Sequence, residues 1–221
     1  ISTSRNWAVW LHEYLEEFPG KQDVLRYALT ANAPETKDNN FTWKDYQDRN
    51  NNELLAIFGN FVNRTLVLTH KYFEGKVPAM INLNEKDNAA IEEMNQYPDK
   101  IAHLLDTYKF REALSELMNL ARLGNRYLTE NEPWKQFKTD PERVKTVLAV
   151  SLQIVAKLAI LSEPFLPFSA KKLQAMIGLN VNGWNQAKET ILLNDNYIIG
   201  EVELLFTKVE DETVAAQIKK L

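Results

Sequence analysis

Hydrophobic and polar positions recur with a helical period along most of the chain, most clearly over residues 51–73. At about 100° per residue, the apolar side chains of this segment fill one broad arc. The arc consists of Leu54, Leu55, Ile57, Phe58, Phe61, Val62, Thr65, Leu66 and Leu68. Asn60, Arg64 and Lys71 gather along one edge of that arc, and Gly75 and Pro78 predict where the helix ends. The segment is therefore predicted to be one long amphipathic helix with a polar edge.

Turn-forming residues divide the rest of the chain into further helical segments. The predicted segments are 7–15, capped by Ser4 or Asn6, then 24–31, 85–108, 110–131, 141–162, 168–177 and 211–221. Pro98 predicts an interruption, and Pro133 predicts the end of 110–131, since the residue before a proline is pushed out of the α region. Residues 197–206 alternate loosely between apolar and polar side chains, and this pattern predicts a short strand or an extended arm. The predicted fold class is all-α: a helical bundle with a short N-terminal connecting region and a possible short C-terminal strand.

Composition favours a globular chain with one large core, alone or with a small appendage. The chain has 221 residues, of which 45% are hydrophobic and 25% charged, with only 7 Gly and 8 Pro. No cysteine is present, and His12, His70 and His103 are too scattered to form a spaced ligand motif, so no metal is expected in this chain. Polar residues interrupt the apolar stretch 147–168, which favours a buried core helix over a membrane span. No basic and apolar signal segment is present at Ile1, so we expect a piece of a longer soluble, cytoplasmic protein.

The net charge of −4 argues against a protein that coats nucleic acid. Non-specific phosphate binding requires a strongly basic balance or patch. Any contact with RNA is therefore expected to be local, as in the recognition of a single loop.

Asn60, Arg64 and the pair Pro133-Trp134 together supply the groups needed to read unpaired bases. Single-stranded RNA is recognised by stacking splayed bases on aromatic or guanidinium planes and by hydrogen bonds to their Watson–Crick edges. A simpler interpretation exists for each feature. Trp134 could cap the core, as most large aromatics do, and Asn60 and Arg64 could be an ordinary solvated helix edge.

Two sets of motifs in this sequence resemble a known family. Ile1-Ser2-Thr3-Ser4 is similar to the tail of the KMSKS signature of class I aminoacyl-tRNA synthetases. The segments 54–75, 113–134 and 160–173 resemble successive helices of the anticodon-binding bundle of methionyl-tRNA synthetases. The resemblance implies that Asn60, Arg64, Pro133 and Trp134 bind the CAU anticodon. It also implies two partners, methionine tRNA at its anticodon loop and the protein's own catalytic domain, and neither a membrane nor DNA.

The resemblance places the catalytic residues outside this chain. Thr3 stands where the signature has its second lysine, and the HIGH signature, the nucleotide-binding fold and the family's zinc-bearing insertion are absent. ATP with magnesium, and zinc, are therefore expected in the missing catalytic part, and the chain alone is expected to be inactive as a methionine-tRNA ligase. The expected division is a connecting segment over 1–48 and a helical anticodon-binding domain over 49–221.

Two alternatives to this interpretation stay open from the sequence. The chain could be the equivalent domain of a class I synthetase for leucine, isoleucine, valine or cysteine. It could also be a helical scaffold that binds protein surfaces, for which an acidic net charge is equally natural.

Overall fold

A computed structural model describes residues 8–35 and 38–220, which form a bundle of α-helices. The helices are α1 (Leu11–Glu17), α2 (Gln22–Ala31), α3 (Trp43–Asp48), α4 (Asn60–Phe73), α5 (Glu85–Asp106), α6 (Phe110–Asn131), α7 (Pro133–Gln136), α8 (Pro141–Leu161), α9 (Pro167–Ile177) and α10 (Asp211–Ile218). The all-α fold class is thereby confirmed. The expectations for Ile1, Ser2, Thr3, Ser4 and Asn6 lie outside the described residues.

Helix α8 forms the centre of the bundle. Every residue from Thr146 to Leu161 is buried, and α4, α5, α6 and α9 pack around the helix. By length and composition α8 could cross a membrane, but 94% of its apolar window is buried inside the bundle. The prediction of a buried core helix is therefore confirmed. Burial lowers the pKa of Lys157 on this helix to about 8, and its ammonium donates to the carbonyl oxygens of Ala187 (2.6 Å) and Glu189 (2.7 Å).

The long helix predicted over 51–73 consists of two kinds of helix. A π-helical segment (Arg49–Gly59) continues α3 without a break and passes directly into α4. Asn125 of α6 donates from Nδ2 to the carbonyl oxygen of Ile57 at the end of this segment (2.9 Å). A hydrophobic pattern over so few residues does not distinguish the two helix types, so the sequence missed the π-helical segment.

The predicted interruption at Pro98 is wrong. Helix α5 runs through Pro98 to Asp106. A proline inside a helix removes one backbone donor and usually kinks or breaks it. Here Pro98 is buried against the bundle, and Trp184 donates from Nε1 to its carbonyl oxygen (3.2 Å). Tertiary packing therefore maintains the helix at a position where local preference alone would end it.

Residues 197–206 form an extended arm rather than a strand. Within the described ranges the only β-type pairing is one antiparallel bridge between Lys76 and Ile198. The arm changes partner after that bridge, because Gly200 donates its N–H to the carbonyl oxygen of Met176 on α9 (2.7 Å). A ladder needs successive pairs on one neighbour, and this arm finds its successive partners on different elements.

The C-terminal end of the chain folds back onto its N-terminal helices. Asn51 donates to the carbonyl oxygen of Val209 and accepts from its N–H, both at 2.9 Å. Helix α10 packs against α3, and Lys220 forms an ion pair with Glu17 of α1. The charged C-terminal helix thus covers a surface of this chain.

Candidate functional site

The polar edge of α4 begins at the junction with the π-helical segment. Asn60 is the first residue of α4 and is exposed, whereas Arg64 lies one turn later and is half-buried. Gly124 of α6 lets the two helices approach closely, since a Cβ atom there would lie 2.3 Å from the Phe61 ring. This contact fixes how α4 sits against α6 and hence which way its polar edge faces.

Trp134 is presented by a sharp turn after α6. Glu132 adopts a left-handed conformation (φ 40°, ψ 53°), and Pro133 starts the short helix α7. The predicted end of the helix before Pro133 is confirmed, although Glu132 is left-handed rather than extended. Pro133 is buried, whereas 38% of Trp134 is exposed.

Arg64 of α4 and Trp134 of α7 are in contact, and we call the surface that carries Asn60, Arg64 and Trp134 the groove. The guanidinium carbon of Arg64 lies 4.8 Å from the centroid of the Trp134 ring, which is the geometry of a cation–π contact. Nearby, the ring of Tyr72 on α4 stacks on that of Phe137, the residue after α7, with centroids 4.0 Å apart and planes 13° apart. The fold therefore brings Arg64 and Trp134 into contact and places Asn60 one turn away on the same edge of α4.

A buried ion-pair network, which we call the Asp87 clamp, joins α5, α6 and α8. It consists of Asp87, Tyr127, Asn131 and Arg143. The Arg143 guanidinium donates to both carboxylate oxygens of Asp87 (2.5 and 2.7 Å) and to Oδ1 of Asn131 (2.7 Å). Tyr127 also donates to Asp87, and the side-chain amide of Asn131 donates to the carbonyl oxygen of Tyr127 (2.9 Å).

Charge pairing keeps Asp87 ionised despite its burial. Burial alone would raise the pKa of Asp87, but the hydrogen bonds from Arg143, Tyr127 and the Asn84 backbone outweigh it and hold that pKa below its usual value. Asn84 and Asp87 also form a reciprocal capping box at the start of α5. The clamp is therefore a charged unit that joins α5, α6 and α8.

The electrostatics near Trp134 are locally mixed. Lys135 of α7 pairs with Glu132 at 2.7 Å, and this exposed pair contributes little to stability. Lys71 of α4 and Lys138, just after α7, are exposed. A few cations are thus available for phosphate contacts beside the groove, although the chain is acidic as a whole.

No metal centre accompanies this site in the part of the chain that the structure describes. There, no three His, Cys, Asp or Glu side chains come together in a group that could hold a metal ion. A cavity of about 500 Å³ lies elsewhere, between α2, the π-helical segment and α6. Arg49, Arg111, Arg122, Glu35, Glu53 and Glu112 are among its lining residues, and they give it mixed charge. Because Arg49 pairs with Glu53 (2.7 Å), the cavity is a weaker candidate for a functional site than the groove.

The family resemblance pointed to the groove residues, but nothing in the sequence analysis indicated the groups that support them. The capping box of Asn84 and Asp87 could have been recognised from its spacing. The pairing of Asp87 with Arg143 could not, because it joins residues far apart in sequence. The helical period of one segment likewise does not predict the stacking of Tyr72 on Phe137, because the two residues lie on different segments.

Comparisons with known proteins relate the chain to one family. Residues 77–221 match the family model described as the anticodon binding domain of methionyl tRNA ligase, and residues 1–66 match that described as tRNA synthetases class I (M). The methionine–tRNA ligases of Cytophaga hutchinsonii and Porphyromonas gingivalis are 62% and 63% identical to this chain over its full length. The chain spans 32% and 33% of those two proteins, about a third of their length.

A solved structure shares this fold. Mycobacterium tuberculosis methionyl-tRNA synthetase in complex with methionyl-adenylate aligns with a TM-score of 0.86 at 23% identity. The alignment covers 94% of this chain and 41% of that one. Asn60 and Arg64 lie in the range of one family match, and Pro133 and Trp134 lie in the range of the other. The groove therefore forms where the two matched regions meet.

Proposed function

Because this chain belongs to the methionyl-tRNA synthetase family, we propose that it reads the CAU anticodon of methionine tRNA within a full-length methionine-tRNA ligase. Family membership removes the alternative of a synthetase for leucine, isoleucine, valine or cysteine. No contact in the groove favours the scaffold alternative. The full-length protein would join methionine to its tRNA with ATP, and this chain would supply recognition rather than chemistry.

The contact between Arg64 and Trp134 carries the proposal. An exposed indole is a stacking plane for an unpaired base, and stacking contributes about 1–3 kcal/mol per base. The guanidinium lies over one face of the ring, so a base that stacks on that face takes the place of Arg64 and leaves the guanidinium beside the polar edge of the base. Pro133 is buried beneath the turn and holds Trp134 at the edge of the groove.

Hydrogen bonding at the same place would give preference for cytosine, the first base of CAU. Cytosine presents an N4 amino donor beside N3 and O2 acceptors, and the guanidinium of Arg64 has only donors to offer those acceptors. Asn60 carries both a donor and an acceptor in its side-chain amide and is exposed one turn away. Asn60, Arg64 and Trp134 together could thus stack a cytosine and pair with its polar edge.

The remaining parts of the proposal concern the full-length protein. We assign ATP with magnesium, and zinc, to the catalytic part of the full-length protein. That catalytic part would be the partner of this chain, and the full-length protein would be located in the cytoplasm. The proposed boundary between the connecting segment (1–48) and the anticodon-binding domain (49–221) falls where α3 passes into the π-helical segment.

Binding of short RNA hairpins tests the proposal directly. The affinity of the full-length protein for a hairpin with a CAU loop is compared with that for a hairpin in which the first base is changed to adenine. We expect about a tenfold or greater preference for CAU, since adenine can still stack but loses the hydrogen bonds to the edge of cytosine, which contribute about 1–3 kcal/mol of discrimination. Equal affinity for the two hairpins would contradict the proposal.

A further inference from the structure

The structure gives the segment that carries Trp134 a fixed support at both ends. The segment 132–140 leaves α6 after Asn131 and enters α8 at Pro141. Of this segment only the residues of α7 are α-helical, so its position depends on the two ends, on packing of α7 against α8 and on side-chain contacts with α4. A support that moved either end would move the Trp134 ring.

Arg143 contacts both ends of this segment at once. Its backbone N–H is fixed by the side chain of Asp140, the N-cap of α8 (3.0 Å). Its side chain donates to Oδ1 of Asn131, the last residue of α6 (2.7 Å). The same guanidinium holds Asp87 with two further bonds, so its orientation is determined by a planar fork of donors.

Burial makes this arrangement rigid. The Asp87 side chain is completely inaccessible, and only 16% of the Arg143 side chain is exposed. Tyr127, one turn before Asn131 on α6, is also buried and donates to the same carboxylate. A buried charge left without its partner is strongly unfavourable, so the four groups hold a single geometry.

We propose that Arg143, through Asn131, is a positioning residue that sets the place of Trp134 and thereby the selectivity for the first anticodon base. This inference rests on the proposed function, because the selectivity that it explains is that of the proposed anticodon site. Hydrogen bonds to a base that stacks on the indole require the Trp134 ring to lie at a defined position relative to α4, and site geometry must be supported to within a fraction of an ångström. Arg143 of the Asp87 clamp provides that support at the two ends of the segment 132–140.

Two variants separate positioning from simple stability. Arg143→Lys keeps a positive charge beside Asp87 but lacks the planar fork that also reaches Asn131. Asn131→Ala removes the link at the end of α6 and leaves the Asp87 ion pair in place. Arg126→Lys is the matched control. Arg126 lies on α6, as Asn131 does, and pairs with a carboxylate of α5, Glu93, as Arg143 pairs with Asp87, but the pair of Arg126 and Glu93 is exposed.

The measurement is the ratio of affinities of the full-length protein for the CAU hairpin and the changed-base hairpin. We expect each clamp variant to lower this ratio at least about fivefold, the low end of the contribution of base-edge hydrogen bonds that depend on the position of Trp134, and Arg126→Lys to leave it unchanged. In a Trp134→Ala background the clamp variants should lower the ratio no further, because they act through that ring. Circular dichroism at the assay temperature establishes that each variant is folded.

Two results would overturn the proposal. An unchanged ratio in folded clamp variants, including one that arises from equal weakening of binding to both hairpins, would make the clamp purely structural. If Trp134→Ala itself leaves the ratio unchanged, the proposed function fails first and the positioning role fails with it. Should Arg143→Lys not fold, Asn131→Ala decides the question by the same ratio.

Discussion

Replacing Trp134 with alanine tests the site most sharply, because the structure gives separate expectations for stability and for recognition. Truncating a fully buried Trp or Phe to Ala costs about 3–5 kcal/mol of unfolding free energy. Trp134 is 38% exposed, so just over six-tenths of that cost applies, which gives ~2–3 kcal/mol. The variant should therefore be weakened but folded.

Recognition should suffer more than stability suggests. Without the plane that holds the base edge against Asn60 and Arg64, the preference for CAU should fall by the contribution of those hydrogen bonds, about 1–3 kcal/mol, which is roughly 5- to 150-fold. The assays are urea unfolding for stability and hairpin binding for preference. Trp10 is the matched control, since 42% of it is exposed and it is the N-cap residue of α1, outside the groove. Trp10→Ala should cost similar stability and leave base preference intact.

A double-mutant cycle with Arg64→Ala isolates the contact between the two side chains. An exposed cation–π pair contributes about 0.5–1 kcal/mol, so the two substitutions should be non-additive by that amount in unfolding free energy. Trp134→Phe should keep part of the stacking and lie between wild type and Trp134→Ala in base preference. If Trp134→Ala unfolds the protein, or remains folded with full preference for CAU, Trp134 is a core residue and the stacking assignment is wrong.

Three further predictions concern the bundle and the chain as a whole. Gly124→Ala should destabilise the protein by about 1–3 kcal/mol in urea unfolding despite alanine's helix preference, because the new Cβ would lie 2.3 Å from the Phe61 ring; an unchanged midpoint would contradict this. Lys157 releases its proton at about pH 8 when folded and near 10.5 when unfolded, so stability relative to Lys157→Met should rise by up to ~3 kcal/mol between those pH values, as measured by urea unfolding at each pH; a flat difference would refute it. The isolated chain should show no methionine-dependent ATP–pyrophosphate exchange, since it spans about a third of its relatives' length, and its described residues form no sheet that could bind a nucleotide.

The sequence could predict the helices because they depend on local patterns, whereas the choice of Asn60, Arg64, Pro133 and Trp134 depended on the resemblance to a family. The apolar arc of 51–73 predicted which face of the segment is buried, and Leu54, Phe61 and Leu66 are all inaccessible. Pro133 marked the turn that presents Trp134. The interruption at Pro98 was wrong because packing around a buried proline overrides its local preference. The π-helical segment was not predicted because a hydrophobic pattern over so few residues fits either type of helix.

The groups that make the groove a site come from long-range contacts. Arg64 and Trp134 belong to distant segments, and their 4.8 Å separation depends on how each segment is held. Close packing of Phe61 on Gly124 fixes α4, and the Asp87 clamp fixes the turn before α7. Both supports use α6, but they hold different segments, so changing either one should alter the separation of guanidinium and indole without touching RNA. Selectivity in this bundle should therefore depend on buried residues as well as on the exposed ones that meet the base.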